Sequence, residues 1–180
     1  MSAIEQLKEE HKAIRLMLKI LEAICEKMSK GEVVPKESLE KVMEFIKIFA
    51  DKCHHGKEEE LLFPAMEEAG IPKGGGPISV MIAEHDTGRG YVKAMGEAVL
   101  EGDPIKFVEN SERYIRLLEQ HIDKEDNILY LMADLHLPRD KHDELMEEFD
   151  KMERERIGVG RHEELHRLLH QLRKEFLESS

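Results

Sequence analysis

The sequence predicts an all-α fold, a compact helical bundle in which four helices each carry one buried stripe and two shorter helices follow. Three observations carry that prediction. Apolar residues recur at alternating steps of three and four along successive stretches, the spacing of a helix with one buried face. The composition is that of a helix bundle, with 37% charged residues, 5% aromatic residues and no Trp. Breaks containing Gly and Pro separate the periodic stretches. At 180 residues and 41% apolar content the chain is long enough to bury one full core.

The first stripe is Ile4, Leu7, His11, Ile14, Leu18, Leu21 and Cys25, and it predicts a helix running to about Ser29. Lys30-Gly31 then supplies a cationic last turn and a left-handed stop. A histidine in such a stripe is, taken alone, most often a satisfied core residue. Pro35 with Lys36 and Glu37 opens the second helix, which the ladder Val42, Ile46, Ala50, His54, Glu58, Leu62 climbs in steps of four. The competing ladder Lys47, Asp51, His55, Glu59 reads as a solvated face. The register therefore places His54 and Glu58 inside, and His55 and Glu59 either exposed or behind the groups that face the interior.

Gly70 ends this helix, and Pro72, Gly74, Gly75, Gly76 and Pro77 mark a loop. Ile78, Met81, Ile82, His85, Val92, Met95 and Val99 give the third stripe. Gly88 and Gly90 lie inside that helix at a cost of about 1 kcal/mol each relative to alanine. Either close packing, room for a ligand or simple surface tolerance accounts for them. Gly102-Asp103-Pro104 separates the third helix from the fourth, where Phe107, Tyr114, His121 and Ile128 repeat every seven residues with Leu118 and Glu125 on the same side. After Leu137-Pro138 a shorter helix is expected to about Arg156. A break at Gly158 and Gly160 precedes a last helix from about Arg161 to Leu177. These last two helices are expected to cover the bundle or to build an oligomer contact, a homodimer being one expectation.

The chain is organised around a repeat. His54-His55-Gly56-Lys57-Glu58-Glu59-Glu60-Leu61-Leu62-Phe63 has an echo at His121-Ile122-Asp123-Lys124-Glu125-Asp126-Asn127-Ile128-Leu129-Tyr130, which pairs His54 with His121, Lys57 with Lys124 and Glu58 with Glu125. Residues four apart on a helix stand on one face, so each His-x-x-x-Glu delivers an imidazole and a carboxylate to one point. Two such points facing each other suit a pair of metal ions. A carboxylate in an apolar stripe is costly unless it is paired or bound to metal, and here two stripes carry one each. Pairing of Glu58 and Glu125 with a buried lysine or a protonated histidine is the structural alternative.

Other classes are disfavoured. A formal net charge of -12 argues against nucleic acid or an anionic membrane as partner, and no apolar run is long enough to span a bilayer. The first residues form an acidic amphipathic helix start without an apolar signal core, so a cytoplasmic location is expected. Cys25 and Cys53 form no C-x-x-C pair and read as buried thiols. His162-Glu163-Glu164-Leu165-His166 matches the H-E-x-x-H pattern of zinc proteases. The metzincin continuation fails at Leu169 and Leu172, and His162, His166 and His170 flank an apolar stripe as boundary residues.

With His11, His54, Glu58, His85, His121 and Glu125 in place, the sequence resembles the hemerythrin-like family of HHE cation-binding domains. The resemblance covers Ser2 to Ala133. It rests on Glu10-His11, on the H-x-x-x-E followed by Leu-Phe-Pro, on Glu84-His85-Asp86 with Arg89 and Tyr91, and on His121 with Lys124, Glu125 and Asp126. It implies an up-down-up-down four-helix bundle over residues 1–135, with residues 136–180 as a helical extension packed on the same domain. It also implies a non-haem di-iron centre with His11, His54, Glu58, His85, His121 and Glu125 as metal ligands.

One departure from the oxygen carrier is informative: the third helix offers only His85, where the carrier has two histidines a turn apart. Four histidines and two bridging carboxylates then give each iron two nitrogens and two oxygens, plus a shared oxo or hydroxo bridge. Each of the two ions is left with an exchangeable position, for which Tyr114, and more weakly Tyr91 and His55, are candidates. The expected function is binding of, or reaction with, O2, NO or peroxide, in scavenging, sensing or repair of iron centres. The alternative is a non-catalytic iron-binding or iron-sensing module, and zinc would also suit the donors.

Overall fold

The structure is a computed structural model and describes residues 1–178. Among the described residues the chain forms six helices and no strand. Helix α1 spans Ala3–Ser29. Helix α2 begins as Lys36–Phe45, passes through π-helical stretches at Ile46–His55 and Glu58–Leu62, and ends as Phe63–Glu68. Helix α3 is Pro77–Glu101. Helix α4 runs as Pro104–Lys124, a π-helical Glu125–Leu129 and Tyr130–His136. These four pack as the expected bundle. Helix α5, Arg139–Met152, continues π-helically to Ile157, and helix α6 begins as Arg161–Arg173.

The helix ends follow from local chemistry. Ser2 and Glu5 form a reciprocal capping box on α1, with bonds of 2.9 and 3.1 Å, an arrangement worth about 1 kcal/mol. Asp103 accepts the Lys106 amide at 3.0 Å at the start of α4. Gly102 closes α3 in the left-handed region at φ 68°, which a β-carbon would strain.

The apolar interior falls into two clusters along the bundle. One gathers Ile14, Leu18, Phe45, Phe49, Met95 and Leu118, and the other Ile4, Leu7, Leu62, Phe63, Met81 and Tyr130. Each helix of the bundle crosses from one cluster to the other at a histidine: His11 between Leu7 and Ile14, His54 between Ala50 and Leu62, His85 between Met81 and Met95, His121 between Leu118 and Leu129. A polar layer is thereby clamped between two dry ends. The two last helices lie against α1 and α2. Leu145 and Phe149 of α5 enter one cluster, and Leu165, Leu169 and Leu172 of α6 enter the other.

The π-helical stretches overturn two expectations. A π turn closes from i to i+5, so each one absorbs an extra residue and moves the buried face along by one position. In α4 the heptad register predicts Ile128 inside; Ile128 is 51% exposed, and Leu129 is buried in its place. In α2 the ladder through His54 holds, but the ten-residue π stretch also turns the neighbouring position inward. His55 is 5% exposed, so the expectation that it faces away from the interior is wrong. Gly88 is a close-packing glycine, since a β-carbon there would lie 3.6 to 3.8 Å from Leu117, Leu118 and Tyr114, whereas Gly90 faces open space. Cys25 and Cys53 are both buried free thiols.

Candidate metal centre

The layer between the two clusters brings together all six residues singled out by the sequence, and adds a seventh. Two groups of donors converge there: His11, His54, Glu58 and Glu125 in one, and His55, Glu58, His85 and His121 in the other, every one of them buried. Glu58 belongs to both. Its Oε1 lies 3.7 Å from His54 Nε2 and 3.2 Å from His85 Nε2. Glu125 does the same on the opposite side, its Oε1 standing 3.1 Å from His11 Nε2 and 3.2 Å from His121 Nε2. Each carboxylate thus spans the two halves.

The imidazoles are oriented by a second layer of acids. His11 donates from Nδ1 to Asp126 at 2.7 Å, His54 to Glu10 at 2.8 Å, His55 to Asp51 at 3.3 Å, His85 to Glu59 at 2.6 Å and His121 to Glu84 at 2.9 Å. With Nδ1 engaged, all five rings turn Nε2 toward the centre. A carboxylate behind each ring fixes its orientation and raises the basicity of the inward nitrogen.

An approximate two-fold relation ties this layer together. Glu10-His11 on α1 corresponds to Glu84-His85 on α3, and the repeat on α2 corresponds to its echo on α4. Glu10 and Glu84 each serve the histidine of the next helix, Glu59 on α2 serves His85 on α3, Asp126 on α4 serves His11 on α1, and Lys57 and Lys124 ion-pair with Glu10 and Glu84. Phe63 stacks on His85 as Tyr130 stacks on His11, with ring centroids 6.1 and 5.2 Å apart. The relation fails at two positions. His55 stands where the echo has Ile122, and Tyr130 stands where the first copy has Phe63.

The donor set fits a pair of transition metal ions. His54 Nε2, Glu58 Oε1 and Glu125 Oε2 are buried without a hydrogen-bond partner, which is costly in a dry layer and is relieved if cations fill the space on which they converge. Imidazole with carboxylate suits iron, zinc or copper better than magnesium or calcium. The hemerythrin HHE cation binding domain family matches residues 2–133 of the chain. The chain belongs to that family.

The curated relatives that match this HHE protein include uncharacterized proteins of Mycobacterium tuberculosis and Mycobacterium bovis. They are 24% identical to it over 163 residues, 87% of this chain. The chain spans 63% of the length of those relatives. No solved structure matches it at a significant level.

The electrostatics of this HHE site show what the protein must do without metal. Burial pushes the Glu125 carboxyl well above the ordinary carboxylate range, and the adjacent Glu58 charge pushes it further. Glu58 is held well below that range, because its hydrogen bond from Glu125 and the nearby His54 and His85 outweigh the cost of burial. The pair therefore shares one proton. Burial works against a charge on His85, yet contact with Glu58 and Glu59 raises it to about 10. Burial and the His85 charge hold His55 well below its ordinary value.

Sequence reasoning gave His55 only a weak part in the site, missed Tyr130, and did not match the acids to the rings they orient. Tyr130 donates to Glu58 Oε2 at 2.7 Å, and its oxygen lies 3.3 Å from His11 Nε2. Tyr114, the first candidate from the sequence, is buried beside Gly88 and away from these contacts. The signal was in the repeat: His55 and Tyr130 are the places where one copy carries a polar ring against Ile122 or Phe63 in the other.

The histidines of α6 stand apart from the centre. His162 and His166 face each other with Nε2 atoms 2.9 Å apart, and Glu163 is exposed. No group of three donors forms around them among the described residues. A third acidic group, Glu10 with Cys53 and Glu153, is already filled by the Lys57 ammonium, 2.6 Å from Glu10 and 2.8 Å from Glu153.

Proposed function

We propose that this chain is a non-haem di-iron protein that binds or reacts with O2, NO or peroxide, acting as scavenger, sensor or agent of iron-centre repair. In this reading His11 and His54 would hold one iron, His55, His85 and His121 would hold the other, and Glu58 and Glu125 would be shared between them. The bundle over residues 1–135 is the metal-binding unit and residues 136–180 its extension. When bound, the irons would supply the redox couple and the electrophilic surface that a diatomic ligand or peroxide needs.

The observation that carries the proposal is the inequality of the halves. Three imidazoles and two shared carboxylates nearly complete a six-donor shell on the His55, His85 and His121 side. The His11 and His54 side is one nitrogen short, and this replaces the expectation of an exchangeable position on both ions. Tyr130 stands on the short side with an O–H already ordered by Glu58, where it can donate a hydrogen bond to an incoming anion. Leu62, Leu129 and Phe63 close the layer above it and keep bulk water out.

The test begins with metal analysis of protein purified without chelator and reconstituted anaerobically with ferrous iron, which should give two irons per chain. Oxygen uptake, peroxide consumption and NO titration then follow on the loaded protein. Turnover supports scavenging, and tight stoichiometric binding without turnover supports sensing. One metal or none per chain, or zinc retained against excess iron, overturns the di-iron reading.

A further inference from the structure

A groove of about 670 Å³ opens between α2 and α3 and runs to the centre, where His55, His85 and His121 form its inner end. That volume is of the size that holds a small organic molecule and far exceeds what O2, NO or peroxide requires. It also meets the three-imidazole half, the side with its donors in place, and not the short half beside Tyr130. The groove is therefore not simply the entry path of the diatomic ligand.

Its floor is aliphatic: Met43, Ile46, Val92, Val99 and Leu118, with Tyr114 at the inner end. Gly96 faces the channel: a β-carbon there would touch Lys47 Nζ at 3.5 Å and the Met43 methyl at 3.9 Å, so a longer side chain would enter the space. The rim holds acids and bases, but most already have partners. Glu44 pairs with Arg161, Asp51 with Arg89, Glu84 with Lys124 and Glu97 with Lys106. Lys36, Lys47 and Lys93 make no ion pair among the described residues, and Glu40 is the single rim acid in the same position. A surplus of unpartnered cations over an apolar floor is notable in a chain whose net charge is -12.

We propose that this groove binds an aliphatic carboxylate of medium chain length. The carboxylate lies at the rim between Lys47 and Lys93, and the chain lies along the floor toward His55 and His85. His85 and Lys93 are two turns apart on α3, about 12 Å along the axis, which sets the reach of the chain. The site rests on the packing of α2 against α3 and holds whether or not metal is bound.

Titration calorimetry of the whole protein with dodecanoate, dodecanol and hexanoate, in iron-loaded and metal-free forms, tests the proposal. Dodecanoate should bind one per chain in both forms, and dodecanol and hexanoate at least tenfold more weakly. Two variants locate the site: Gly96→Leu, which fills the channel and favours the helix, and Lys47→Glu with Lys93→Glu, which reverses the rim. Each should weaken dodecanoate at least tenfold without lowering the melting temperature or the metal content. Equal binding of dodecanol, or variants that bind as the wild type does, overturns the proposal. So does sedimentation showing a dimer that Gly96→Leu dissociates, since the groove would then be an interface between two copies. Binding by a protein that fails to hold two irons leaves this site standing and removes only the di-iron reading.

Discussion

Replacing Glu125 by Gln in the metal-free protein should make the fold more stable near neutral pH, not less. The reasoning starts from the shared proton. Glu125 is fully buried against Glu58, and its folded pKa is raised far above the ordinary 4.5. A carboxyl with a raised folded pKa contributes no penalty below its unfolded value, and it costs stability as pH climbs from there toward the folded value, because folding must take up a proton. The slope is about 1.4 kcal/mol per pH unit, so between 4.5 and pH 7 the cost is capped at about 3 kcal/mol. An amide has the shape of the protonated acid, can still donate to Glu58 and carries no such cost. The metal-free variant should match the wild type near pH 4.5 and exceed it by up to about 3 kcal/mol at pH 7. Urea unfolding of chelator-treated protein at several pH values measures the gap. With iron the order reverses, because the wild type gains the free energy of metal binding and the variant lacks a bridging charge. A metal-free variant clearly less stable than wild type at pH 7 would mean that Glu125 is ionised and held by a cation, which refutes the shared-proton account.

Three further outcomes are expected. His55→Ala should lower iron content as much as His54→Ala does, measured by elemental analysis, because in the proposed centre His55 would supply one of the three imidazoles on its side; full iron occupancy in His55→Ala would return it to a supporting role. Lys57→Met leaves Glu10 and Glu153 without their shared ammonium and should destabilise the fold by about 3–5 kcal/mol, the scale for breaking a buried ion pair, as read by chemical denaturation. Tyr130→Phe should cost about 1 kcal/mol for one lost hydrogen bond and keep two metal ions, while the rate of peroxide or oxygen reaction on loaded protein changes; an unchanged rate would show that the phenol only fills space.

The sequence made the bundle legible because its stripes are regular: every residue of the α1 stripe and of the α2 ladder is buried. It failed where the helix itself departs from α geometry. Nothing in residues 46–55 announces an i to i+5 pattern, since no Pro or Gly marks it, and the three-and-four count therefore put His55 on the wrong face and Ile128 on the buried one. The acids behind the rings were hidden for a different reason. Glu10 serves His54, and Glu84 serves His121, across the gap between helices, so no spacing within one helix encodes the pair. Lys57 could be aligned with Lys124 from the sequence, but only packing shows their difference. Lys57 is fully buried under Phe149 and Glu153 of the extension, whereas Lys124 is 39% exposed.

That difference ties the C-terminal extension to the chemistry of the proposed centre. Lys57 holds Glu10, and Glu10 orients His54 on the half that is one nitrogen short. Burial opposes the charge on Glu10, yet the hydrogen bond from His54 and the Lys57 ammonium keep it below its ordinary value. Glu153 closes the same chain from α5, its carboxyl held at about 2 despite burial by His162 and Lys57. On the opposite half the equivalent acid, Glu84, is capped only by the partly exposed Lys124. The extension thus seals the side where Tyr130 and the short donor set lie, and leaves the three-imidazole side facing the open groove. A symmetric bundle would treat both ions alike. Here the inserted π stretch, the tyrosine in place of phenylalanine and the covering helices all act in one direction, which in the proposed reading leaves one half rigid in its donors and the other dry, ordered and ready to accept a ligand.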